Sequence, residues 1–161
     1  MKKALICAAA FTLTVAVSMP GTYAKYTRES GNFPHIVNLS EFPQGIKHWR
    51  ILRHTLKLEI PQQSKAVYQL NIEAPENIVV RNNIDVSDQS GKKIDTKITI
   101  NDKKVILLFA EPVAPGTMLT IEMNNVKKTR VTSGEKLYNI SAFLVGINAE
   151  LPIGVVRLRV N

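Results

Sequence analysis

Residues 94–109, IDTKITINDKKVILLF, carry two apolar patterns on either side of one turn. Ile94, Thr96, Ile98 and Ile100 alternate with Asp95, Lys97 and Thr99, so an extended chain places the branched set on one face and the polar set on the other. Asn101-Asp102 then supplies a turn, and Val105–Phe109 returns as a continuous apolar run. Strand, turn and strand make a β-hairpin, and the density of β-branched residues suits a pleated surface.

The same period recurs in both directions. Leu56, Leu58 and Ile60 alternate with Lys57 and Glu59 until Pro61, and Tyr68, Leu70 and Ile72 alternate with Gln69, Asn71 and Glu73 until Pro75. Ile84 and Val86 form one more short strand before the turn at Asp88–Gly91. Pro112, Pro115 and Gly116 make a stiff corner across Glu111–Thr117, followed by Leu119, Ile121 and Met123. Tyr138–Ile147 reads as a central strand covered on both faces, and Val156, Leu158 and Val160 alternate with Arg157 and Arg159. Ser64–Gln69 has room for one helical turn, but no helical stripe persists. About seven to eight short strands with turn signals about every ten residues define an all-β chain, an antiparallel immunoglobulin-like β-sandwich.

Upstream the pattern changes. Residues 1–24, MKKALICAAAFTLTVAVSMPGTYA, read as a secretory leader: Lys2 and Lys3, an apolar Ala4–Val17, a break at Pro20-Gly21, and a small-x-small site ending at Ala24. The apolar run is shorter than the ~20 residues of a membrane-spanning helix, which favours cleavage after Ala24 over an anchor. Residues 25–53 form an irregular N-terminal segment with one edge strand at Ile36–Leu39, and residues 54–161 the sandwich, 25–161 being one folded unit. Cleavage removes Cys7, the only cysteine, so the exported domain must stand on packing without disulfides. The expected location is the periplasm, the medium or the cell surface, with no transmembrane segment after cleavage.

Three stretches together resemble a family of exported cyanobacterial proteins, the domain of unknown function 2808. They are Leu58–Ile72 (LEIPQQSKAVYQLNI), Leu108–Arg130 (LFAEPVAPGTMLTIEMNNVKKTR), and the closing set Tyr138, Ala142-Phe143, Gly154 and Arg157-Leu158. Ala66 stands where the family usually has proline. The resemblance implies an exported β-sandwich of cyanobacterial origin, and the family brings no established activity with it.

The 161-residue precursor has a formal charge of +8, and losing Lys2 and Lys3 lowers it by two. Such an excess favours anionic partners, an envelope component or an envelope protein, and equally serves plain solubility; an exported chain excludes nucleic acid as the expected partner. The candidate binding residues fall in two clusters. Lys47, Trp49, Arg50 and Arg53 can dock an aromatic ring while cations meet an anion, or Trp49 can plug the core with the charges outside. Lys127, Lys128 and Arg130 lie in the loop expected after Met123; with Arg157 and Arg159 they form either a polyanion stripe or edge-strand charges that block aggregation. His35, His48 and His54 raise copper or zinc binding as the alternative, but their spacings fit no short ligand motif, and solvated surface histidines are the simpler account. No nucleophile elbow and no phosphate-cradling glycine loop is present, and the acidic residues stand singly, so no enzyme and no cofactor is expected.

Overall fold

The computed structural model describes residues 31–43, 51–129 and 134–160, with the side chains of 159 and 160 left out. The leader, with its cleavage site at Ala24, lies outside the described residues, as do Lys47, His48, Trp49, Arg50 and Arg130.

Ten strands are present among the described residues: β1 His35–Phe42, β2 Ile51–Ile60, β3 Val67–Glu73, β4 Ile78–Val80, β5 Ile84–Ser87, β6 Thr96–Asn101, β7 Lys104–Val113, β8 Thr117–Lys128, β9 Gly134–Leu144 and β10 Leu151–Val160. All pairings are antiparallel. Sheet A runs β1-β2-β8-β4, with β5 also pairing β8, and sheet B runs β10-β9-β3-β7-β6. The edge strands β1 and β10 lie beside each other and close one side of the sandwich.

Alternation dictates which face is buried. On β2, Leu52, His54, Leu56, Leu58 and Ile60 point inward while Ile51, Arg53 and Lys57 are exposed. Opposite them, Leu70, Ile72, Leu107, Tyr138, Ile140 and Ala142 close the core from sheet B. Each fully buried leucine or isoleucine contributes about 1.5–3 kcal/mol.

The hairpin at 94–109 forms with two adjustments. Asn101 pairs with Lys104, so the two-residue turn is Asp102-Lys103, one position later than expected, and Asp102 takes φ 53°, a left-handed conformation that aspartate tolerates. Ile94 belongs to neither strand: its N–H donates to the Val86 carbonyl on β5, while the Asp95 carbonyl accepts from Ala110 on β7. Residues 93–95 thus carry the chain from sheet A to sheet B. The corner is likewise shorter than Glu111–Thr117, because Glu111–Val113 continue β7 and Gly116 (φ 81°) donates to the Ile60 carbonyl.

Other expectations are corrected by the backbone. The ten strands exceed the seven to eight expected, and β4 is an addition. β2 starts at Ile51, upstream of the boundary placed at residue 54. No helical turn forms at 64–69; Ser64 N–H donates to the Pro61 carbonyl and β3 follows. Tyr138, Ile140, Ala142 and Leu144 are buried, but Asn139 is exposed and Ser141 and Phe143 half-buried, so β9 is covered on one face only. Lys127 and Lys128 belong to β8 itself, not to a loop.

Candidate functional site

Strand pairing brings Arg53, from one basic cluster, and Lys127 and Lys128, from the other, to one end of sheet A. Ile51 on β2 pairs with Lys127 on β8, which pairs in turn with Val79 on β4. Phe42 on β1 pairs with Arg53, whose guanidinium stands 5.2 Å from the centre of the Phe42 ring, a cation–π contact. A bulge lies between Leu52 and His54, where Arg53 faces both Asn124 and Asn125 and the strand twists. The outer face at this end therefore carries Phe42 (62% exposed), Ile51 (53%) and Val79 (39%) among the cations of Arg53 and Lys127.

Lys128 turns the other way. Its ammonium reaches across the end of β2 and donates to Glu41 Oε1 at 3.0 Å, and its side chain is only 15% exposed. Glu41 Oε2 accepts from His54 Nε2 at 3.0 Å, and His54 Nδ1 meets the hydroxyl of Tyr138 at 2.7 Å. An ionised carboxylate only accepts, so Nε2 carries the proton and Nδ1 accepts from the phenol; the tautomer is assigned from this network. Burial pushes the Glu41 carboxyl up, but the hydrogen bonds from His54 and Lys128, with the charge of Lys128, outweigh it and hold the group below the ordinary glutamate value. Burial first, and the Glu41 charge second, push the Tyr138 phenol far above its usual range. The chain Lys128–Glu41–His54–Tyr138 rivets sheet A to sheet B with every link satisfied.

His54 is thus fully buried, which corrects the expectation of surface histidines. Both of its ring nitrogens are engaged. His35 Nε2 faces Glu59 Oε2 at 3.3 Å, six positions back along β1 from Glu41, which puts it ~20 Å from His54. The two described histidines are not brought together, and no group of three potential metal ligands occurs among the described residues.

Arg157 lies on the outer face of sheet B and pairs with Glu135 at 3.6 Å, so it faces away from Lys127 and no stripe joins the two. Glu41, the hub of the buried chain, was not singled out from sequence, and Tyr138 was named only as a strand residue and as part of the family's closing pattern. The only available signal was parity: His54 falls in step with Leu56 and Leu58, hence inward.

The architecture is that of an immunoglobulin-like antiparallel β-sandwich. Solved structures share it: the N-terminal domain of a Streptococcus gordonii adhesin (TM-score 0.55, 11% identity, covering 80% of this chain and 32% of that one); BcpA, the major pilin subunit of Bacillus cereus (TM-score 0.53, 12% identity, 80% and 38%); and the RrgA Jo.In complex (TM-score 0.54, 9% identity, 79% and 82%). The chain thus spans about a third of the adhesin and pilin chains. At these identities the likeness establishes the fold. The chain belongs to the family described as "Protein of unknown function (DUF2808)", whose model matches residues 30–160. No curated protein sequence matches it. Among the described residues no helix is long and apolar enough to cross a membrane.

Proposed function

We propose that this chain is an exported, non-catalytic β-sandwich module that docks on an anionic envelope component through the outer end of sheet A. The observation that carries the reading is the register Ile51–Lys127–Val79 beside Phe42–Arg53, which intersperses exposed apolar side chains with two cations. Apolar groups gain by leaving water while the cations meet surface phosphates or carboxylates, and Lys47, Trp49, Arg50 and Arg130 extend the same chemistry in sequence. Lys128 contributes by holding Glu41, which ties β8 to β1 across β2 at this end. The leader at 1–24 supplies the route to the periplasm or cell surface, and the fold shared with adhesin and pilin domains supports a surface module.

The test is co-sedimentation with anionic and with neutral envelope fractions over a salt series. Exposed charges separated by more than a Debye length, ~10 Å at 0.1 M salt, are screened, so binding to the anionic fraction should fall as salt rises. Equal binding to neutral fractions, or indifference to salt, would count against the proposal.

A further inference from the structure

The outer face of sheet B is built differently. Across β10, β9, β3 and β7, Val155, Asn139, Glu73 and Lys104 form one row, and Pro152, Ser141, Asn71 and Ile106 the next. The turn between β9 and β10, with Gly146 at φ 77°, brings Glu150 back over this face. Glu150 Oε1 accepts from Ser141 Oγ at 2.5 Å, Asn71 Nδ2 at 2.7 Å and Lys104 Nζ at 3.3 Å. Asn71, 3% exposed, is itself held by Gln69 Nε2 at 2.9 Å. A groove of about 480 Å³ results, within the range of small-ligand sites.

The geometry points to this groove as a binding site for a neutral, hydroxyl-rich ligand, an uncharged oligosaccharide. Three donors converge on one oxygen of Glu150, and its Oε2 has no partner among the described residues, so an oriented acceptor faces solvent at no further ordering cost. Glu73 Oε2 accepts from Asn139 Nδ2 at 3.3 Å, a second carboxylate–amide pair along the same wall. Hydroxyls both donate and accept at short intervals, and this array offers carboxylate acceptors beside amide and ammonium donors. Val155, 59% exposed, together with Pro152 and Gly154, gives an apolar floor for the C–H face of a sugar ring. The half-buried Tyr68 and Phe143 rings, 5.9 Å apart, lie one row beyond Ser141 on β9.

Two carboxylates against one lysine disfavour an anion, which separates this site from the basic end of sheet A. An added peptide strand needs a free sheet edge, whereas these rows run mainly across β9, β3 and β7, each paired on both sides, and reach an edge strand only at β10, which β1 flanks.

The experiment is an NMR titration of the ¹⁵N-labelled protein with cellohexaose, maltohexaose and the N-acetylglucosamine hexamer, with hexagalacturonate as the anionic comparison. At least one neutral probe should shift the amides of Asn71, Asn139, Ser141 and Val155, and hexagalacturonate should not. Val155→Asp and Glu73→Ala, both at exposed positions, should each weaken that binding about tenfold without moving the melting temperature. Arg53→Glu with Lys127→Glu should leave it intact, so failure here is distinguishable from failure of the docking proposal. No shift of these amides by any neutral probe up to millimolar concentration overturns the inference, and so does binding that survives both groove substitutions.

Discussion

His54 sits buried between the two sheets with both ring nitrogens engaged, and such a group tolerates little truncation. His54→Ala strips Glu41 of one donor and leaves the Tyr138 hydroxyl unpaired in a sealed core; the expected loss is about 3 kcal/mol, read by urea denaturation. Tyr138→Phe keeps the ring and removes one hydrogen bond, so about 1–2 kcal/mol should go. Glu41 also gives the network a pH signature. Its native carboxyl lies below the ordinary value of 4.5, because the donors of His54 and Lys128 outweigh the burial that would raise it. The unfolded chain therefore takes up the proton first as pH falls. The stabilisation is complete above the ordinary glutamate range and drains away as pH drops through the lowered native value. Denaturation curves from about pH 6 to about pH 3 should show a steep acid limb in the native protein and a flatter one in Glu41→Gln. Parity with Leu56 points His54 inward, a signal that the expectation of surface histidines passed over. Glu41 was not legible, since it lies in an irregularly patterned segment and Lys128 is 87 positions away.

At the scale of elements, alternation was readable wherever one face met water and the other the core, as in β2 and the 96–109 hairpin, whereas in β3 the bulge between Val67 and Gln69 turns Tyr68 to the outer face, against its expected parity with Leu70 and Ile72. It failed where too few residues or too many apolar ones obscured the period. β4 is only Ile78–Val80, too short to display any repeat, and it forms because Thr129 N–H and the Asn77 carbonyl lock its start to the end of β8. In β9 the run Ala142-Phe143-Leu144-Val145 masks the alternation, since Phe143 finds Tyr68 on the outer face and Val145 is 45% exposed. The turns separate backbone need from contact. Gly91 and Gly116 both take φ 81°, but a side chain at residue 91 meets nothing within 4 Å, whereas one at residue 116 meets the end of the Gln62 side chain. Gly91→Ala should therefore cost about 1 kcal/mol from the backbone alone. Gly116→Ala should cost at least as much, and adding Gln62→Ala should recover the excess above the Gly91 value and no more. A double-mutant cycle by thermal melting checks this.

Across the whole molecule the two sheets present unlike outer faces. Sheet A ends in Arg53 and Lys127 among exposed apolar side chains, and sheet B carries Glu73, Glu150 and their amide partners. A uniform basic excess that served only solubility would distribute its charge without regard to apolar neighbours. The pairing of Phe42 with Arg53 and of Ile51 with Lys127 ties the two chemistries together, so each should be separable in binding. Arg53→Glu with Lys127→Glu should abolish the salt-sensitive part of co-sedimentation with anionic envelope fractions. Phe42→Ser with Ile51→Ser should remove the part that persists at high salt, where coulombic attraction is screened but burial of apolar surface is not. All four positions lie outside the core, so the melting temperature should stay within about 4 °C in both variants. If charge reversal leaves sedimentation unchanged at low salt, the outer end of sheet A is not the docking surface, however well the variants fold.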